Sequence, residues 1–262
     1  SNIVAFTTRG SLSGNTELEN ETADSWTIGA VFTPTFAPGL TLSVDWVDIA
    51  LEGAIQSVDA EGTLEACYDA NDFPNSACDR IDRDGAGQVE FIRTGYLNVA
   101  SYDYQGVIAD LRWTEATPFL GADSRISLRG SYQYIDKLEQ QVGTGDLSTF
   151  RGSPGYSKHQ ATVGVTYENN GFGAFTQIQY IGENVVDPDA APTSYQFFER
   201  DEIVYMDAGI SFRTENDFTF RFIVENLFDR SAPYPAPTGG GLTTYFDGIM
   251  GRYFKVAATF GF

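Results

Sequence analysis

Gly251-Arg252-Tyr253-Phe254-Lys255-Val256-Ala257-Ala258-Thr259-Phe260-Gly261-Phe262 is the stretch whose reading decides the fold. Phe254, Val256, Ala258, Phe260 and Phe262 recur at period two, with Tyr253, Lys255, Ala257, Thr259 and Gly261 between them. That is the pattern of a strand with one apolar face. A soluble sandwich core would use the same pattern, but the ends of soluble domains usually fray into water, where bulky aromatics are out of place. A transmembrane barrel has a use for them, because its last strand closes the sheet and turns its outer face to lipid.

The same alternation recurs upstream. Trp26, Ile28, Ala30 and Phe32 form one such row, and Leu40, Leu42, Val44 and Trp46 the next, across a Pro34–Gly39 turn. Further rows begin at Val107, Ile126, Ala161, Ala174, Met206 and Phe218. Every charged residue in these strands falls on the opposite face, as a bilayer would enforce, since Arg or Lys on the lipid face costs about 2–4 kcal/mol. Connections then separate barrel from sandwich. Counted back from the last strand they alternate long and short: 228–250, 213–217, 183–202, 168–171, 137–158 and 115–124. Outer-membrane barrels have long extracellular loops and short periplasmic turns.

Residues 89–100 also look strand-like. As a separate strand they would move the loop holding both cysteines to the short-turn side, so they read as the outward extension of the strand at 103–114, bent near Asn98. Nine barrel strands follow. Trp26, Trp46, Tyr134 and Tyr180 then sit at one height, and Phe32, Trp113, Tyr167, Phe212, Phe218, Phe260 and Phe262 at the other, as two aromatic girdles.

Composition narrows the function. A net charge of −20 with 16 Lys and Arg excludes nucleic acid as a partner, because phosphate binding needs a basic surface. There is no apolar run long enough for a transmembrane helix, which says nothing against a barrel. Ser1 is not an initiator Met and no signal peptide is visible, so the chain reads as mature or a fragment. Cys67 and Cys78 share one polar stretch and read as a local disulfide. A metal pair is the weaker reading, because the single histidine, His159, is remote in sequence and zinc wants four ligands. Arg80–Gly85 invites a calcium-loop reading, but aligning Gly85 on the loop glycine puts Arg80 and Phe91 at ligand positions. No cofactor, metal or catalytic residue is assigned.

Three segments resemble a known family. Asn15-Thr16-Glu17-Leu18 with Glu21–Gly29 resembles the "NPxLxPETAxxxxxG" segment of TonB-dependent outer-membrane receptors. Glu225-Asn226-Leu227-Phe228-Asp229-Arg230 resembles their "NLFD" motif. Asp247 with Gly251-Arg252-Tyr253-Phe254 and Phe262 resembles their closing "GRxF…F". Thr16 and Asn20 depart from the pattern within a variable segment. The resemblance implies an all-β, transmembrane, antiparallel up-and-down β-barrel. Residues 1–262 would be the C-terminal nine or so strands of a roughly 22-stranded plugged barrel, without the plug domain, the TonB box and roughly thirteen strands.

It further implies an integral protein of the Gram-negative outer membrane, set in lipid and lipopolysaccharide. TonB with ExbB and ExbD would act through the plug region to energise uptake of a small-molecule ligand of the carbohydrate or iron-siderophore class. Phe254, Phe260 and Phe262 would be the signal read by the barrel-assembly machinery.

Tyr156, Tyr195, Phe197, Phe198, Tyr234 and Tyr245 fall in the long loops, where large amphipathic rings suit ligand contact, though they could equally pack the loops together. Asp110, Arg112, Arg129, Gln177, Gln179 and Arg221 face the lumen and are expected to meet water or plug. A passive porin is the first alternative, against which the "ETAD" and "NLFD" segments argue. An outer-membrane barrel hydrolase using Ser157 and His159 is the second, but the chain has no G-x-S-x-G elbow, and His159 reads as a rim residue.

Overall fold

The computed structural model describes residues 9–16, 18–68, 73–75, 77–143, 147–214, 218–232 and 250–260. Its strands are β1 (Arg9–Ser13), β2 (Thr22–Phe32), β3 (Thr41–Val58), β4 (Ile81–Arg83), β5 (Val89–Ala116), β6 (Arg125–Val142) and β7 (Leu147–Thr149). These are followed by β8 (His159–Asn169), β9 (Phe172–Ile181), β10 (Asn184–Val185), β11 (Glu199–Arg200), β12 (Ile203–Arg213), β13 (Phe218–Glu225) and β14 (Tyr253–Phe260). Among the described residues one α-helix, α1 (Ala60–Tyr68), lies between β3 and β4.

Nine strands lie side by side in the order β14-β13-β12-β9-β8-β6-β5-β3-β2. They are the nine expected from the alternation, each beside its neighbour along the chain. Residues 89–100 join 103–114 in the single strand β5, as the placement of the cysteine loop required. Among the described residues, β2 and β14 are the two ends of this order.

The chain divides into two compact units. The larger takes in residues 27–47, 105–137 and those from Phe150 onward, and the smaller takes in 48–104, 138–149 and the N-terminal residues through Trp26.

In the larger unit, pairing register keeps the two faces apart. Ile210 stands opposite Ala174 on one side and Phe222 on the other, while Ser211 stands opposite Gly173 and Arg221. Phe222 in turn faces Val256, and Arg221 faces Ala257. Leu128, Val165 and Thr176 form another row on the apolar face, opposite Ala208; Arg129, Gly164 and Gln177 form another on the polar face, opposite Asp207. A one-residue slip at any pair would invert a whole strand, so two-faced patterning and register specify each other. Short turns help. Asn170 and Gly171, with φ of 40° and 84°, link β8 to β9 as a two-residue hairpin in the positive-φ geometry that matches strand twist. On the apolar face Phe218 packs on Phe260 with centroids 4.6 Å apart, and Phe222 stacks on Phe254 at 6.0 Å.

The smaller unit holds two elements that periodicity does not announce. β1 pairs in parallel with β5, Arg9 opposite Phe91 through Ser13 opposite Gly95. The segment after it is pinned by side chains acting on backbone. Asn98 donates from Nδ2 to the carbonyls of Glu19 (2.9 Å) and Gly53 (2.7 Å), and its Oδ1 accepts from the Glu19 N–H at 2.8 Å. The Glu21 carboxylate accepts from the Ile55 N–H at 2.6 Å. The other element is α1, started by Asp59, whose Oδ1 accepts from the Gly62 N–H at 2.8 Å.

Candidate functional site

Four long connections join the wall strands at one end: β3 to β5, β6 to β8, β9 to β12 and β13 to β14. Their bases are built differently.

Segments 150–158 and 182–202 are locked together. The Val185 N–H donates to the Gly152 carbonyl at 2.8 Å, and Gly182 N–H donates to the His159 carbonyl at 2.9 Å. Asn184 Nδ2 donates to Ser157 Oγ at 3.2 Å. β10 and β11 form a small hairpin that is extended by a bond from Val186 N–H to the Phe198 carbonyl. Arg200 is buried there, and loss of water pushes its pKa below the usual arginine value. Three of the expected contact rings lie exposed on these segments: Tyr156 beside Phe150 with centroids 6.1 Å apart, Tyr195 6.5 Å from Phe198, and Phe197. Phe198 is half-buried. Tyr234 and Tyr245 lie outside the described residues, as does Phe262.

Ser157 and His159 do not form a catalytic pair. Ser157 is fully buried and engaged with Asn184. The His159 ring turns to the apolar face, opposite Tyr134 in register, with Nδ1 2.7 Å from the Tyr132 hydroxyl and its ring stacked 5.0 Å from Tyr134. The rim placement expected of it is joined here to the outer aromatic row.

The base of the β13–β14 connection is a hydrogen-bonded knot. Asn226, buried with φ of 51°, binds both backbone groups of Arg230: its Oδ1 accepts from N–H and its Nδ2 donates to the carbonyl, each at 2.8 Å. Asp207 of β12 accepts from the Asn226 N–H at 2.8 Å. Asp229 accepts from the Arg252 N–H at 2.7 Å, and Arg252 reaches back to the Leu227 carbonyl at 3.2 Å. Gly251 has φ of 68°, and a Cβ there would meet Asp229 Oδ1 at 2.8 Å. The two motif segments thus form a single turn staple. Beside it, Glu225 accepts hydrogen bonds from Tyr253 and Lys255.

The β3–β5 connection is closed covalently by the disulfide between Cys67 and Cys78, as expected from the sequence. Tyr68, next to the buried Cys67, lies 5.7 Å from Phe73, and the Arg83 guanidinium sits 5.3 Å from the Tyr68 ring centroid. Neither Tyr68 nor Phe73 was singled out from sequence, since their meeting depends on how the loop folds back through the disulfide. Asp84, in the stretch that invites a calcium reading, instead accepts from the N–H groups of Ala86 and Gln88 at 2.9 and 2.8 Å. Asp82 pairs with Arg93 at 2.5 Å.

The polar wall face carries a concavity of about 380 Å³ lined by Asp110, Arg112, Arg129, Gln177 and Phe175. Phe175 lies across Gly209, where a Cβ would collide with the ring. Four of the six residues expected to face the lumen therefore share one depression.

The TonB-dependent receptor-like β-barrel family model matches residues 4–227. No curated protein matches the sequence. Among solved structures, a mutant of the ferric enterobactin receptor from Pseudomonas aeruginosa superposes with a TM-score of 0.57 at 13% identity, over 95% of this chain and 32% of that one. The copper transporter OprC gives 0.54 at 14% identity, over 95% and 33%. The siderophore receptor PirA from Acinetobacter baumannii gives 0.52 at 12%, over 84% and 29%. At such identities the likeness is one of fold, and the chain spans about a third of the length of these structures.

Proposed function

The chain belongs to the TonB-dependent receptor family as a portion of its β-barrel, and on that premise we propose that it is the C-terminal wall of an outer-membrane receptor taking up a scarce small molecule. The observation that carries the reading is the pairing of two-faced register with connections that alternate long and short. The apolar rows meet lipid, the polar rows meet the lumen, and the long connections lie outside the cell. The concavity at Asp110, Arg112 and Arg129 offers charge to whatever fills the lumen, which in this family is the plug.

TonB, with ExbB and ExbD, supplies energy through the N-terminal region of the complete protein, and the Phe-rich β14, with Phe254 and Phe260, is what the barrel-assembly machinery reads. Ligand meets Tyr156, Tyr195, Phe197 and Phe198 on the interlocked loops, together with Tyr234 and Tyr245. Rings held on two loops that share backbone hydrogen bonds lose little freedom on binding, which favours affinity.

The test is ligand accumulation by cells carrying the full-length protein. Accumulation should stop when the proton gradient is collapsed or tonB is deleted. Uptake that persists at full rate without either would refute an energised receptor and leave passive diffusion.

A further inference from the structure

Resting on the receptor reading above, we infer that the concavity on the polar wall face binds a small organic monocarboxylate carried on a flat apolar ring. The site lies wholly within the larger unit, on β5, β6, β8 and β9.

Register makes the space. Arg129 stands opposite Gly164, and Gly164 stands opposite Gln177. With no side chain at Gly164, two strand spacings, about 10 Å, separate Arg129 from Gln177. A Cβ at Gly164 would approach nothing nearer than the Thr176 carbonyl oxygen at 3.8 Å, so the floor is open. Phe175 closes one side: its ring lies across Gly209, where a Cβ would collide with it, and it remains 37% exposed. The cationic side is free. Neither Arg112 nor Arg129 has a hydrogen-bond or ion-pair partner among the described residues. The acids that β12 and β13 turn to this face are engaged: Glu225 accepts from Tyr253 and Lys255, and Asp207 accepts from the Asn226 N–H.

Guanidinium forks match the two oxygens of a carboxylate, which they grip with paired N–H donors. The charged residues lining the concavity are two arginines, Arg112 and Arg129, and one acid, Asp110, a net charge of +1 that balances a single negative charge. A phosphate monoester, nearer two charges, would be left unbalanced. The exposed face of Phe175 suits a flat ring in the offset or edge-on contact that aromatic pairs prefer. Volume favours a free ligand over a side chain. The concavity, about 380 Å³, falls in the range of small-molecule sites, whereas the carboxyl arm of a neighbouring Asp or Glu would leave most of it empty.

The test is calorimetric titration of the full-length receptor in detergent micelles with benzoate, benzamide and phenyl phosphate. Benzoate should bind saturably, and the neutral amide and the phosphate about tenfold more weakly. Arg112→Gln and Arg129→Gln should each weaken benzoate binding about tenfold, and Gly164→Leu, which fills the floor, should abolish it. Gly164→Ala leaves the space open and should keep the binding, which separates a filled site from a disturbed fold. In crystals of the same protein soaked with 4-bromobenzoate, the bromine signal should fall beside Phe175. Absence of saturable binding, equal binding of benzamide, or tighter binding of phenyl phosphate overturns the inference. So does an acidic side chain of the receptor itself seated on the two arginines. Benzoate binding by a receptor whose uptake persists without tonB keeps the site and sinks the energised-uptake reading. Energised uptake by a receptor that ignores benzoate does the reverse.

Discussion

Two long connections are closed at their bases by different chemistry. The 59–88 segment is tied by Cys67–Cys78, whereas the segment between β13 and β14 is tied by Asn226, Asp229, Gly251 and Arg252 with help from Asp207. A short-range disulfide acts mainly on the unfolded chain, where closing a loop of this size is worth about 3 kcal/mol. The knot works the other way. Each of its bonds satisfies a backbone group in the folded state, and three of its residues, Asn226, Asp229 and Gly251, hold positive φ. The difference is between holding a loop and shaping the strand ends from which it springs.

The largest effect is expected at Asn226. Asn226→Ala removes both partners of Arg230 in a buried setting and leaves alanine at φ of 51°. The expected loss is about 4 kcal/mol, seen as a lower urea midpoint of the full-length receptor in micelles. An unchanged midpoint would show that the knot is decorative.

The paired change Cys67→Ser with Cys78→Ser should cost about 3 kcal/mol, but locally. Amide exchange should rise across 59–88 while β13 and β14 keep their protection. Loss of protection throughout the wall would remove the distinction between the two closures.

Gly251→Ala is the mildest probe, about 1–2 kcal/mol, because it adds only a Cβ against Asp229 at a positive φ. Coupling to Asp229→Ala sharpens the picture. If the two residues act as one staple, the double variant should lose less than the sum of the single ones, as thermal midpoints would reveal.

Much of this was legible in the residues because lipid and lumen each demand a face. Phe218, Phe220, Phe222 and Val224 against Thr219, Arg221, Ile223 and Glu225 define β13 without any partner, and β14 follows the same rule. The cysteine pair was legible for a similar reason, being two thiols in one polar stretch. β1 was not, since Arg-Gly-Ser-Leu-Ser has no period and is held by a parallel backbone ladder to β5. α1 left one signal, Asp59 ahead of Ala60 and Glu61 as an N-cap, inside a stretch whose acidity reads as loop. The "NLFD" and "GRYF" segments were recognisable as motifs, yet their joint role depends on Asp207, a β12 residue that sequence spacing cannot connect to Asn226. The Tyr68–Phe73 pair and the clasp of Asn98 on Glu19 are likewise products of tertiary return.

On the receptor reading, alternate residues of the wall face lipid and lumen. Single cysteines placed in turn at positions 219 to 224 of the full-length receptor, in a Cys67→Ser, Cys78→Ser background, test it with a lipid-soluble and a water-soluble maleimide. Positions 220, 222 and 224 should react with the lipid-soluble reagent, and 219, 221 and 223 should be silent to it. Equal labelling by the water-soluble reagent at all six positions, or labelling of the odd set from lipid, would contradict it.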